Sequence, residues 1–271
     1  MGTITKALEL LNEFSPSRAE ISLVEMARLT KRDKATIHRH LTELQANGIL
    51  EQNPTTRAYR LGAALLRLAA LREHCFPTSR LLRPLVTDLA EEVGELVHAS
   101  LLQAESLSPL VHSDPQVHGT QVHFDPSEVL PLHATASGLA VMAFLPEDRR
   151  ERILSRPLAI FTNRTQTDPD HLRRLLAEIS QAGICIVDGS FDPEVASIGA
   201  PLFGDGDQVV GAVAIAAPRG RARTDRLASL AQKLTTYAQA ACQTLGGQYP
   251  SFPARSGRVP QISAAQSGVG D

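Results

Sequence analysis

Residues 130–146 read LPLHATASGLAVMAFLP, with His133 four residues before Ser137 and Gly138 directly after the serine. A histidine within reach of a serine hydroxyl makes a base and a nucleophile for acyl transfer. The same stretch is also a run of small residues opening a helix, where free backbone N–H groups can meet a ligand. Catalysis further needs an orienting acid and an oxyanion hole. The G-x-S-x-G elbow is absent, because the serine stands in T-A-S-G-L, and no acid is assigned by spacing. With a helix over 134–145, His133 lies just outside it and Ser137 faces its first turn. The expectation is therefore a non-enzyme, with a hydrolase built on Ser137 and His133 as the enzymatic alternative. A metal sensor would draw on His98, His112, His118, His123 and His133, but these are scattered over separate segments without short ligand spacing.

Composition narrows the classes further. The chain has 271 residues, 43% hydrophobic and 21% charged, as in a globular protein of one large or two modest domains. No apolar run reaches the length of a membrane helix and the N-terminus lacks a signal-peptide layout, so a cytoplasmic location is expected. Cys75, Cys185 and Cys242 are an odd set without a CxxC pair, which speaks against a disulfide framework or a zinc knuckle. The net charge of −2 hides an asymmetry. Residues 1–72 hold eleven Lys/Arg against seven Asp/Glu, a net of +4, and the remainder carries −6. A basic leading module on an acidic body suggests that the first part meets a polyanion.

That module reads as three helices and a hairpin. Ile4, Ala7, Leu8, Leu11 and Phe14 form an apolar stripe. Ser22 and Glu25 match a capping box ahead of a helix burying Leu23, Met26, Ala27 and Leu29. After KRDK, a third helix buries Ile37, Leu41 and Leu44 and stops at Gly48. ILEQ and AYRLG flank a turn-rich NPTTR as a hairpin. This is the layout of a winged helix-turn-helix. The outward face of the third helix then carries Lys34, Thr36, Arg39 and His40, with His38 on the margin. Arg28, Lys31, Arg32 and Arg57 at the hairpin tip would supply phosphate contacts. A solvated charged face is the alternative. His38 and His40, two apart on one helix, point to different sides and are no metal pair.

Residues 63–95 read as helices, too apolar at first for a solvated linker, and are expected to connect and dimerise. Beyond them ELVHASLLQAE, SLSPLVHS and GTQVHF are predicted strands. The 130–146 segment and helices opened by LPEDRRERI and TDPDHL follow. GICIVDG, VASIGAPLF and QVVGAVAIAAP are three more predicted strands before a last helix from Thr224 to Leu245. The fold class is α+β. The expected domains are a winged helix-turn-helix over 1–62, connecting helices over 63–95, a sensor-like domain over 96–247 and a disordered tail over 248–271.

KATIHRHLTELQANGILEQ, YRLGAALLRLA, LPLHATASGLAVMAFLP and the late block GICIVDG…VASIGAPLF…VVGAVAIAAP occur in that order. On them, over about residues 3–247, the chain resembles the IclR family of bacterial transcription regulators. The resemblance implies a GAF-like effector domain, no cofactor, dimers or tetramers, a near-palindromic DNA operator and a small organic effector. It places DNA contacts on Lys34, Thr36 and Arg39. It places effector contacts on Thr135, Ala136, Ser137, Gly138, Asp188, Ser197, Ala214 and Ala216. Family members that take small keto-acids carry hydroxyl or thiol groups where this chain has Ala214 and Ala216, which favours a larger, more apolar effector such as an aromatic or other catabolic acid. The acidic position sits in VDGSFDPE rather than in a run of adjacent acids. A sensor domain that has lost its ligand and serves only for assembly is the second regulator reading.

Overall fold

A computed structural model of the protein describes residues 2–252 and 260–262. It divides into two compact units, Met1–Pro77 and Thr78–Asp271. No helix of the described residues is long and apolar enough to cross a membrane.

The first unit comprises α1 (Thr3–Leu11), α2 (Leu23–Thr30), α3 (Lys34–Ala46), the hairpin β1 (Leu50–Gln52) and β2 (Tyr59–Leu61), and α4 (Ala64–Cys75). Leu10, Ile21, Met26, Ile37, Leu41, Leu50 and Tyr59 form its core. The Ser22 hydroxyl caps α2 by accepting from the Glu25 N–H at 3.2 Å, and Asp33 caps α3 by accepting from the Thr36 N–H at 2.8 Å. Lys31, at φ 53°, makes the left-handed turn that separates the two helices. Ile21 and Tyr59 exchange both backbone hydrogen bonds at 2.8 Å, tying the α1–α2 connection to the hairpin. The α1 face differs from expectation: Leu10 is buried, while Ile4 and Leu8 are 76% and 52% exposed. On that side of the helix Arg32 pairs with Glu9 and donates to the Lys6 carbonyl, while Leu10 packs in the core.

The second unit is a seven-stranded sheet with helices on both faces. Its elements are α5 (Thr78–Val93), β3 (Leu96–Gln103), β4 (Ser106–Ser113), β5 (Leu130–Pro131), α6 (Ala136–Met142), α7 (Glu147–Leu154), α8 (Pro169–Ala182), β6 (Cys185–Asp188), β7 (Val195–Phe203), β8 (Val209–Pro218), α9 (Thr224–Thr244) and β9 (Gln261–Ile262). The strand order is β5-β4-β3-β8-β7-β6-β9, antiparallel except for the β6–β9 pair. Alternation sorts the strands' side chains between two cores. Val97, Ile198 and Val213 pack with α5 and α9, whereas Cys185, Val187 and Ala212 pack with α6, α7 and α8.

Three expectations change. The 63–95 segment divides at 77/78: α4 buries no side chain, while α5 places Leu82, Val86 and Leu89 in the second unit's core. GTQVHF forms no strand, because β4 meets only the two residues of β5 on that side. The tail is ordered in part. The Tyr249 hydroxyl donates to the Gly183 carbonyl at 2.6 Å, and β9 pairs with β6. Residues 253–259 and 263–271, also expected to be disordered, lie outside the described residues.

Helix α6 meets its neighbours backbone on backbone. A Cβ on Gly199 would lie 2.3 Å from the carbonyl of Ala136, and one on Gly138 would lie 2.4 Å from the Pro131 oxygen. Gly199→Ala should therefore destabilise the protein by roughly 1–3 kcal/mol through overpacking. The melting temperature should fall by about 2–4 °C for each kcal/mol. Unchanged thermal unfolding would show that α6 can move off β7 freely.

Candidate DNA-reading face and effector cavity

On α3 the side chains of Lys34, His38 and Arg39 are exposed and Thr36 is half-buried. The expected outward position of His40 is corrected: it is 3% exposed and faces the core. Its spacing of three from Ile37 sets it on the inner stripe, so His38 takes the outward place. Burial foremost, then the positive charges of Arg39, Arg32 and Lys6, lower the His40 pKa, and its Nε2 has no hydrogen-bond partner. Arg32 is likewise withdrawn from any phosphate role by its pairing with Glu9. Arg28 and Lys31 remain exposed. Arg57 is exposed in the β1–β2 loop at φ 59°, where its N–H donates to the Asn53 carbonyl and its carbonyl accepts from Gln52. The first unit thus presents Lys34, His38 and Arg39 on one helix and Arg57 on a hairpin, the donor set that phosphates and guanine edges require.

In the second unit a cavity of about 380 Å³ lies between the sheet and the start of α6. Register explains its floor. Leu96, Ala216, Ser197 and Val187 are successive cross-strand partners over β3, β8, β7 and β6. His98, Ala214, Gly199 and Cys185 form the next row. The middle of each row is small, so the floor is deep there. Leu96 and His98 rise on one side and Val187 on the other. Thr135, Ala136 and Ser137 close the cavity from α6, and the loops around Phe124 and Phe191 complete it.

Of the eight expected effector positions, Thr135, Ala136, Ser137, Ser197, Ala214 and Ala216 line this cavity, and Gly138 and Asp188 do not. Gly138 is required by its approach to Pro131 and Leu132. Asp188 is turned to a structural pairing, with Arg164 at 2.7 Å and Arg219 at 2.5 Å. These ion pairs hold the segment around Thr162 against the turn after β6. There the Thr162 and Thr165 hydroxyls each donate to the carbonyls of 189 or 190 at 2.6 Å. On the other flank, Glu95 is buried between Arg221 and Arg226, and Arg221 also donates to the Thr120 carbonyl at 2.7 Å. That hydrogen bond pins the 114–129 loop, which brings Val122 and Phe124 to the cavity.

The histidine and serine of the 130–146 segment are not arranged as base and nucleophile. The Ser137 hydroxyl donates to Thr135 Oγ1 at 3.3 Å, whereas His133 Nε2 meets the Ala159 carbonyl at 2.9 Å and its ring faces Phe161. Among the described residues no three His, Cys, Asp or Glu side chains come together to hold a metal ion.

Sequence reasoning missed His98, Phe124, Phe161, Ser190 and Phe191 at the cavity. His98 stacks on Phe124 at 4.9 Å between centroids, and its Nδ1 lies 3.1 Å from the Ser100 hydroxyl. Its alternation with Val97 and Ala99 on β3 was a usable signal. The aromatic loop residues carried none, since only tertiary contact brings them in. Burial, aided by nearby His112, lowers the His98 pKa to about 4. The neutral ring therefore costs stability once the unfolded chain begins to bind a proton. Stability should be intact above about pH 6.5 and fall as pH drops toward 4, by up to about 3 kcal/mol from this group. Urea titrations of wild type and His98→Gln across that window check this: the variant should show a flatter slope, and equal slopes would contradict the assignment.

A family model for the bacterial transcriptional regulator IclR C-terminal domain matches residues 77–243, and one for the IclR helix-turn-helix domain matches residues 3–54. The transcriptional repressor IclR of Escherichia coli K12 is 25% identical over 252 residues, covering 90% of each chain. The HTH-type regulator KipR of Bacillus subtilis is 27% identical, covering 86% of this chain and 92% of its own. A Silicibacter protein assigned as an ICLR transcriptional regulator has a crystal structure that superimposes with a TM-score of 0.85 at 40% identity, covering 93% of this chain and all, 100%, of that one. A Microbacterium hydrocarbonoxydans IclR homolog, crystallised in complex with 4-hydroxybenzoate, gives a TM-score of 0.73 at 25% identity over 90% of this chain and 99% of its own.

Proposed function

The chain belongs to the IclR family of DNA-binding transcription regulators, and on that premise we propose that it is controlled by a small organic effector bound in the second-unit cavity. The observation that carries this reading is the cavity itself: about 380 Å³, floored by Ala214, Ala216 and Ser197 and bounded by aromatic rings. The 4-hydroxybenzoate complex of the Microbacterium homolog supports small-molecule binding within the family. The two alanines deepen the floor and leave room for an aromatic-sized body, so a sensor domain kept only for assembly is not favoured.

The regulator acts as a homodimer or homotetramer on a near-palindromic operator. Its residues 1–62 read DNA, α4 within the expected 63–95 connector links onward, and α5 with 96–247 senses. On α4, Leu66, Leu68 and Leu71 are 75%, 44% and 54% exposed, an apolar surface suited to a second copy. Two copies of α3 then enter successive major grooves, with Lys34, Thr36, His38 and Arg39 at base edges and phosphates and Arg57 beside them. Effector occupancy shifts the population of DNA-competent arrangements through α5, which is part of the sensor core, and α4. The protein works in the cytoplasm and carries out no catalysis; Ser137 serves the cavity wall.

Lys34→Ala with Arg39→Ala should abolish specific operator binding in gel shifts while leaving the oligomer, measured by light scattering, unchanged. Removing one cation from a phosphate should also lower the slope of log affinity against log salt by about 0.9. Wild-type gel shifts from the double variant would overturn the α3 assignment. Ser137→Leu, which fills the cavity from α6, should remove effector response and spare operator binding; a normal response would place the effector elsewhere.

A further inference from the structure

The fixed charges that line the cavity are carboxylates. Asp125, Glu128 and Asp192 line it, together with His123 and the buried His98, and among the described residues no lysine or arginine lines it. The nearby arginines are committed elsewhere: Arg164 and Arg219 to Asp188, Arg221 and Arg226 to Glu95. The three acids come from two different loops, and they are electrostatically in reach of each other. Burial and the Asp125 and Asp192 carboxylates raise the Glu128 pKa against a lesser opposing effect of His123.

Two further observations point to what would sit there. Phe161 and Phe191 meet at 4.9 Å with their rings inclined by 55°, and Phe124, stacked on His98, also lines the cavity. Inclined aromatic faces beside carboxylates favour a positive charge through the ring quadrupole. Ser190 also lines the cavity, is 1% exposed, and its hydroxyl has no hydrogen-bond partner. A buried hydroxyl left unpaired is unfavourable, so a ligand that completes it is favoured.

We propose that the effector of this cavity is an organic ammonium ion with a compact apolar or aromatic body, not the carboxylic acid that family resemblance implies. The ammonium group lies toward Asp125, Glu128 and Asp192 and the apolar body rests on Ala214, Ala216 and the phenylalanine rings. The N–H groups of a primary ammonium can donate to the Ser190 hydroxyl, which the structure leaves open. A carboxylate in the same place would meet three acids with no lysine or arginine in the lining to balance it.

The proposal rests on the cavity being the effector site, and three probes of equal size separate the two ideas: benzylammonium, benzyl alcohol and benzoate, titrated calorimetrically into the full-length protein. Benzylammonium should bind at least about tenfold tighter than benzyl alcohol, benzoate should bind weakest, and added salt should weaken only the cation. Glu128→Gln combined with Asp192→Asn should bring the cation down to the affinity of the alcohol, with benzyl alcohol binding to the variant as the check that its cavity is formed. If the variant no longer binds the alcohol, the salt dependence of the wild type decides. Benzoate binding as tightly as benzylammonium, and releasing operator DNA, would overturn the cation and leave the effector site standing. Binding of none of the three would overturn both.

Discussion

The sensor unit depends on one contact in which nothing larger than a hydrogen fits between two stretches of backbone. Helix α6 lies with its first turn directly on β7 at Gly199, and Gly138 in the same helix lies on the strand-loop of 131–132. The Cys185 thiol, donating to the Ala136 carbonyl at 3.2 Å, fastens the same point from β6. All seven residues of α6 are buried. A helix held this closely resists sliding, which fixes where Thr135, Ala136 and Ser137 sit over the sheet. The cavity is what remains on the side of the clamp where the floor residues are alanine and serine. The Cys185 thiol, pushed up to about 12 by burial, stays protonated and keeps donating.

Charge pairing completes the frame around that cavity and determines its chemistry. Glu95 and Asp188 each take two arginines, and each set ties a loop to the sheet near the cavity mouth. Such pairs are weak evidence for net stability, since desolvation offsets much of the attraction, but removal of one partner leaves a buried charge. Their role here is positional. Each set keeps one positive charge in excess, but its arginines stay out of the cavity lining, whose own fixed charges are carboxylates.

The helical module was legible almost throughout, because caps and periodicity are local. Ser22 caps α2 and Gly48, at φ 69°, follows the end of α3, whereas Asp33, read as part of a polar connector, is the cap of α3. The errors were those of helix phase: Ile4 and Leu8 look like a buried stripe, yet both are exposed and Leu10 is buried. His40 failed by the same mechanism. In the sensor unit the family resemblance placed Ala214, Ala216 and Ser197 at the effector site, and all three line the cavity. Asp188 illustrates what a single sequence cannot give: its place on β6 was right, but its two arginines come from 24 and 31 residues away and turn it from ligand contact to scaffold. The rim acids and phenylalanines lie on loops whose course depends on Arg221, Thr162 and Thr165, and no local pattern encodes that.

The same strands carry two messages on opposite faces. Along β8, Val213 and Ile215 pack with α5 and α9, while Ala214 and Ala216 between them face the cavity. Along β7, Ile198 packs in the same core and Ser197 faces the cavity. A change on the cavity side therefore alters what is recognised, and a change on the other side alters whether the domain holds together. Mutational drift can explore new signals one floor residue at a time without passing through an unfolded intermediate. A lineage built on this sheet can diversify its inputs while its DNA-reading output stays constant.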